Sequence, residues 1–441
     1  MEKPPQVYLK ADSVRPAGSA VTWMKTKPSA VCWGDWWIVI AGLALTLAQI
    51  LFAYTQSGNI SFTAAYLNLY QFDSYWYGEI AEVGYHNRAA QPTEEIYKGK
   101  NVAFFPCFPM LARFLLTVFG LPTKVAVLLA AQLACWGFWS YLFLLLRSWG
   151  MSILKTATVT VLLAAHPCAF YLIAGYSESL FLMSLLGFFY WSGREGSGSS
   201  WLAGAHGFVM TSTRLVGLPL VLIPLLLAMR STKIERGKPN ICGVRMETAI
   251  RSAMLTVVAS LGALVFFGYC QLRFGFWNLY MRTQSDWGLK PDYLAIFRPK
   301  VYSVFLPREG VQGFVSTNDL SKLSVPLTLA LLCFLLALET WTAWRRPDNG
   351  WRERLPFHFG AWSMFYISVC GLVAVEMHSM IRYTFPVHML LALAAVHLLC
   401  QHPSRGFASD LGFGLLVIII PHVAWLQSDL VYLFTSGHWV A

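Results

Sequence analysis

Apolar runs of roughly twenty residues recur along nearly the whole chain, separated by short polar connections. A helix of that length crosses a hydrocarbon core of about 30 Å. The pattern predicts spans near 36–54, 121–146, 153–173, 178–191, 252–272, 325–344, 357–375, 383–400 and 411–429. Two runs do not fit it. Residues 102–119 are apolar but carry Pro106 and Pro109 near their start. Proline lacks a backbone donor and disfavours helix in the residue before it. This run is expected to lie in the membrane interface without crossing. Residues 201–229 are too long for one span and are interrupted by Arg214, Gly217 and Pro219. They predict a broken hairpin that dips in and returns.

The expected architecture is an all-α polytopic membrane bundle of about ten or eleven transmembrane helices. No internal repeat or low-complexity tract is visible. The plan is a cytoplasmic tail over 1–35, without a cleavable signal, then one transmembrane domain over 36–430. Within the domain a large first external loop spans 56–120 and carries interfacial helices, and a second spans 273–324. Residues 431–441 follow as a short external tail.

Composition narrows the class. Hydrophobic residues make up 56% and charged residues 12%, where a soluble domain carries about 25% charged residues. The nine cysteines are scattered singly, with no CxxC pair and no Cys/His group at zinc spacing, so no metal site is expected. A net charge of +11 is compatible with a nucleic-acid partner, but in a membrane protein basic residues gather in cytoplasmic loops. With the tail inside and 102–119 not crossing, 19 of the 33 Lys and Arg residues fall on the tail's side and 13 opposite; Arg214 lies in the hairpin. That balance sets four polar segments on the external side: 71–101, Gly175–Ser179, Arg282–Gly288 and Glu376–Tyr383.

The 71–101 stretch holds Asp73, Glu79, Glu82, Glu94 and Glu95 in a chain poor in charge. Asp73 followed by SYWYGEIAEVGY reads as a helix N-cap with Gly84 closing the other end. The alternative is a carboxylate at the headgroup level among Tyr75, Trp76 and Tyr77, where a general base has reach and a partly dry setting. Glu79 and Glu82 are solvated-face residues or second carboxylates. Glu94 and Glu95 read as solvated loop. Glu178, with Tyr176 and Ser177, sits between two apolar runs, at the interface or buried for a reason. Arg214 interrupts an apolar hairpin and requires an anionic partner. Arg382 either snorkels or grips a phosphate, which its fork matches. His378 and Glu376 are its neighbours. Trp287 packs on a sugar face or anchors in the interface, with Gln284 and Asp286 beside it. No P-loop, GxGxxG after a strand, GxSxG or HExxH is present.

In combination these segments resemble a known family. FDSYWYGEIAEVGY followed by NVAFFPCFPML is similar to the signature of the PIG-V mannosyltransferases, which add the second mannose of GPI anchors, and of their bacterial relatives. HPCAFYLIAGYSESLF, TSTRLVGLPL, FWNLYMRTQSDWG and IRYTFP follow in the family's order, so the resemblance covers about 36–386. The family has an aromatic, usually tryptophan, before the aspartate; here it is Phe72. The resemblance implies a GT-C fold whose first external loop carries the catalytic acid. It also implies a polyprenyl- or dolichyl-phosphate sugar donor, a glycolipid or glycan acceptor, membrane lipids as surroundings and no nucleic-acid partner. The short loops resemble a bacterial relative in a plasma membrane with an external site; a eukaryotic one would work in the endoplasmic reticulum with a lumenal site.

The expected reaction is an inverting displacement without metal or cofactor, Asp73 being the base. Arg382 and Arg214 hold the donor phosphate, while Glu178, Glu82, Gln284 and Trp287 line the substrate. A lipid-linked-sugar flippase and a non-catalytic subunit of a glycosylation complex remain as alternatives.

Overall fold

The computed structural model describes residues 36–58, 60–86, 101–229, 240–241, 244–299, 301–302, 317–345, 350–400 and 406–440. The expected tail over 1–35 and the acids Glu94 and Glu95 lie outside the described residues. Helix dominates: the described strands are a two-residue antiparallel pair, Asn240–Ile241 with Val244–Arg245. The chain opens with α1 (Trp36–Gln56), α2 (Phe62–Leu67), α3 (Asp73–Val83), α4 (Cys107–Phe119) and α5 (Thr123–Ser148). It continues through α6 (Ile153–Ala164), α7 (Glu178–Ser192), α8 (Ser197–Thr213), α9 (Ile223–Ala228) and α10 (Met246–Phe274). It closes with α11 (Leu279–Asp286), α12 (Thr317–Arg345), α13 (Trp351–Leu372), α14 (Met380–Cys400) and α15 (Gly406–Thr435).

Seven described helices are long and apolar enough to cross a membrane, in α1, α5, α10, α12, α13, α14 and α15. Fewer long helices appear than the pattern predicted, because two expected crossings are built from shorter pieces, and the expected hairpin is a third segment of short pieces. The run 153–173 stops at Ala164, before His166–Pro167, and resumes as a 3-10 turn over Ala169–Leu172. Pro167 explains the break, since the residue before proline avoids the helical region. The run from Glu178 is the 15-residue α7. The third, 201–229, does form a broken hairpin. Along α8, Gly204 faces Leu255 and Val258 of α10, Gly207 faces Ala259, and Thr211 donates to the Ala259 carbonyl. After Arg214 the chain turns back, and Val221 is again level with Thr256, whose hydroxyl donates to its carbonyl at 2.9 Å.

The interior is formed by α5, α7 and α14, whose side chains are buried nearly all round. A helix apolar on every face belongs in such a core. α1 and α10 lie outside it and show exposed stripes: Leu43, Leu47 and Leu51 on one, Val257, Leu261 and Leu264 on the other. Exposed leucines at turn spacing suit hydrocarbon. α4 is short and two-sided. Phe108, Ala112 and Leu115 point inward while Met110, Phe114 and Val118 are exposed, as an interfacial helix requires. It starts only after Pro106, so the expected interfacial helix over 102–119 is preceded by turns.

The two ends of the bundle each hold a buried charge cluster. At the α12–α13 connection Arg354, fully buried, forks onto Glu339, with Nη2 2.9 Å from Oε2, and His358 lies 3.4 Å away. The other cluster joins α3, α7, α8 and α14.

Candidate active site

Asp73 is the first residue of α3. Its side chain does not cap that helix; the N-cap position is Phe72, with φ 50° and ψ −111°, and no side-chain cap bond is made. The capping account of Asp73 is therefore overturned. Gly84 does close the helix, with φ 81° and its N–H on the Ile80 carbonyl. A left-handed φ in a phenylalanine is strained. Here it turns the chain so that Asp73 faces α14. Gly175 makes the approach of the next segment possible: a Cβ there would sit 2.7 Å from Ser74 Oγ, and its N–H donates to the Leu69 carbonyl. The turn thus places Glu178 beside Asp73.

Arg382 enters from a second strained turn. Glu376, Met377 and Ser379 all have φ between 53° and 68°. The turn is tied down by Lys322 of α12, whose Nζ lies 2.8 Å from Glu376 Oε2. Arg214 comes from the apex of the hairpin, where the backbone is extended (φ −152°, ψ 137°).

The four charges form one chain. Arg382 Nη1 donates to Asp73 Oδ2 at 2.8 Å. Its Nε lies 3.3 Å from Glu178 Oε1, and Arg214 Nη1 donates to the same oxygen. The pairs are charge-balanced, two guanidiniums against two carboxylates, as burial demands. Glu178 is 2% exposed, and its Oε2 has no hydrogen-bond partner. Asp73 differs: its side chain is 15% exposed, and among the described residues only Oδ2 accepts a hydrogen bond, leaving Oδ1 open. Tyr171, Tyr176 and Tyr383 surround the Arg382 guanidinium at 5.5, 5.2 and 5.2 Å from their ring centres, within cation–π range. Tyr77 Oη donates to Ser177 Oγ at 2.8 Å. Burial pushes the Tyr77 phenol up, so it stays a donor.

Beside Asp73 runs an aromatic wall. Trp76 stacks with Phe104 at 6.0 Å, and Trp287 lies 5.7 Å from Trp76 and 5.5 Å from Phe104. Gln284 reaches the same loop, donating to the Ala103 carbonyl at 3.3 Å. Asp73, Glu178, Arg214 and Arg382 are thus brought together, with Trp287 and Gln284 adjoining. Glu82 is not: it faces α5 and accepts from Thr123. Glu79 holds His86 at 3.0 Å and Asn101 at 3.2 Å. Among the described residues, no three His, Cys, Asp or Glu side chains gather as metal ligands would.

Two features were not read from sequence. One is the packing of the end of α15 and the turn after it against the site: Phe434 packs against Phe72, Tyr171 and Tyr176. Only the sheer run of aromatics in LVYLFTSGHW hinted at a role. The other is a cleft of about 320 Å³ between α4 and α10, lined by Tyr85, Pro106, Met110, Arg113, Val265 and Tyr269. Behind the arginines, by contrast, the space between Arg214, Met364, Arg382 and Tyr383 is only about 10 Å³.

No protein-family model matches the chain, and no curated protein does. Among solved structures it is similar to an oligosaccharyltransferase of the archaeon Archaeoglobus fulgidus, in complex with an inhibitory peptide and a dolichol-phosphate. That match has 10% identity and a TM-score of 0.45, covering 91% of this chain and 56% of that one. The apo crystal form of the oligosaccharyltransferase matches at 12% identity and TM-score 0.43, with 91% and 56% coverage. The form tethered to an acceptor peptide matches at 13% and 0.43, with 93% and 56%. The chain spans about half the length of these structures. Scores below 0.5 do not establish a common fold.

Proposed function

We propose that the chain is a membrane glycosyltransferase of GT-C type, moving a hexose from a polyprenyl- or dolichyl-phosphate sugar to a glycolipid or other lipid-linked acceptor. The sugar is mannose and the family that of PIG-V, on the strength of the sequence motifs. The observation that carries the reading is the Asp73 carboxylate, held through Oδ2 by Arg382 and open at Oδ1, at the end of an arginine–carboxylate chain.

The chemistry follows from that arrangement. The acceptor hydroxyl gives its proton to Asp73 Oδ1 as its oxygen attacks the anomeric carbon. The bond from that carbon to the lipid phosphate breaks on the opposite face, which inverts the configuration. Phosphate leaves as an anion and needs no general acid, so one carboxylate suffices where glycosidases use two. Arg382, and Arg214 behind it, meet the phosphate charge by forked donation. The tight space behind the guanidiniums leaves no room for a phosphate there. In this reading the phosphate comes from the Asp73 side and shares Arg382 with that carboxylate. Glu178 keeps both guanidiniums in place, and the wall of Trp76, Phe104 and Trp287 offers a flat apolar face to a pyranose. The α4–α10 cleft takes the isoprenoid chain, with Arg113 at its rim. The site opens on the external or lumenal side.

The test is Asp73→Asn, assayed in membranes with polyprenyl-phosphate mannose. Loss of a general base removes about 100-fold or more of the rate. Transfer near the parental rate by the variant removes Asp73 from the role and the reading with it.

A further inference from the structure

The two turns that deliver Asp73 and Arg382 are both strained, and a single side chain lies on both. Trp439 packs edge-on against Phe72, with ring centres 4.8 Å apart and planes at 88°. It also stacks flat on His378, at 5.6 Å and 4°. Phe72 precedes Asp73, and its φ is 50°; His378 sits between Met377 and Ser379, two of the left-handed residues that precede Arg382. Residues in such conformations persist only where their surroundings over-determine them.

The placement of Trp439 is itself built. At the end of α15, Gly437 has φ 82°. Its N–H donates to the Phe434 carbonyl at 3.0 Å and that of His438 to the Leu433 carbonyl at 2.9 Å. This pair of bonds is a Schellman motif, which needs a left-handed residue and so favours glycine. It throws the chain back over the site, where Val440 is 1% exposed. Partial burial, then the charge of Arg382, hold the His378 imidazole below its usual range, which keeps a neutral ring under the indole.

We infer that Trp439 is a positioning residue: it clamps the Phe72 turn to the Glu376–Ser379 turn and so fixes the Asp73 carboxylate against the Arg382 guanidinium. It touches neither reacting atom. Its effect is on turnover more than on donor binding, and this part of the claim rests on the transferase reading above.

The experiment uses the full chain in detergent or nanodiscs, with Trp439→Ala and Trp439→Phe. Hydrogen exchange is followed at residues 72–75 and 376–382, alongside transfer from polyprenyl-phosphate mannose. In the alanine variant, exchange rises in both turns, kcat falls about 100-fold, the penalty of about 1 Å of misplacement, and KM stays within a few-fold. The phenylalanine variant restores most of both. Unchanged exchange in either turn of Trp439→Ala overturns the clamp, whatever the activity. Raised exchange in both turns with parental turnover overturns its catalytic effect. Raised exchange in a chain whose parent transfers no mannose supports the clamp and instead sinks the transferase reading. Unfolding of Trp439→Ala leaves Trp439→Phe to decide: if it is folded and equally loosened in both turns, ring stacking is not what holds them.

Discussion

At the scale of single residues the informative one is Glu178. Its Oε1 serves Arg214 and Arg382 together, and removing its charge leaves two buried cations with Asp73 as their one carboxylate partner among the described residues. Breaking a buried pair by deleting one member costs about 3 kcal/mol or more. Glu178→Gln should therefore lower the unfolding midpoint and abolish most transfer. Adding Arg214→Met removes the cation left uncompensated, so the double variant should regain a large part of the stability and none of the activity. A Glu178→Gln protein as stable as its parent would mean that Glu178 does not balance these guanidiniums. Sequence alone set Glu178 and Arg214 side by side as suspicious charges among apolar neighbours, and the structure joins them. It could not pair Asp73 with Arg382, because those residues are 309 positions apart and local periodicity carries no signal over that distance. Glu82 shows the converse: one turn from Glu79 on the same helix, it looked equivalent, yet it bonds Thr123 of α5.

At the scale of elements, α4 and α10 make the prediction. Their cleft is apolar along its length and opens where both helices expose hydrophobic side chains, with Arg113 on the outer face of α4. Val265, 58% exposed, lines the α10 side without touching the charge chain. Val265→Trp should fill the cleft and raise KM for a long-chain polyprenyl-phosphate mannose several-fold, while a donor with a short, roughly ten-carbon chain keeps its parental KM. Equal effects on both donors, or none on either, would place the isoprenoid chain elsewhere. The prolines that delay the start of α4 to Cys107 were legible, as was the Gly84 end of α3. The role of α15 was not: an apolar run of suitable length reads as one more span, and nothing in its spacing says that Phe434 packs under the site or that Gly437 turns the chain back.

At the scale of the molecule, the two buried charge clusters fix a polarity that the positive-inside argument can test. α10 runs from the short strand pair at 240–245 toward the site, and its 29 residues span about 43 Å at 1.5 Å each. α8 runs beside it in the same sense and delivers Arg214 to Glu178. Residue 240 and Asp73 therefore lie at opposite ends of the bundle. The basic segment around residue 240 belongs in the cytoplasm if Lys and Arg obey the usual bias, and the charge chain then faces the external or lumenal side, where a lipid-phosphate sugar and a glycolipid acceptor would meet. A cysteine at position 240, with Cys32 and Cys242 replaced by serine, should resist a membrane-impermeant maleimide added outside intact cells, or to the lumenal side of sealed vesicles. It should react once the cytoplasmic face is opened. Labelling from the outside would reverse the whole bundle, put Asp73 on the cytoplasmic face and require a donor presented there.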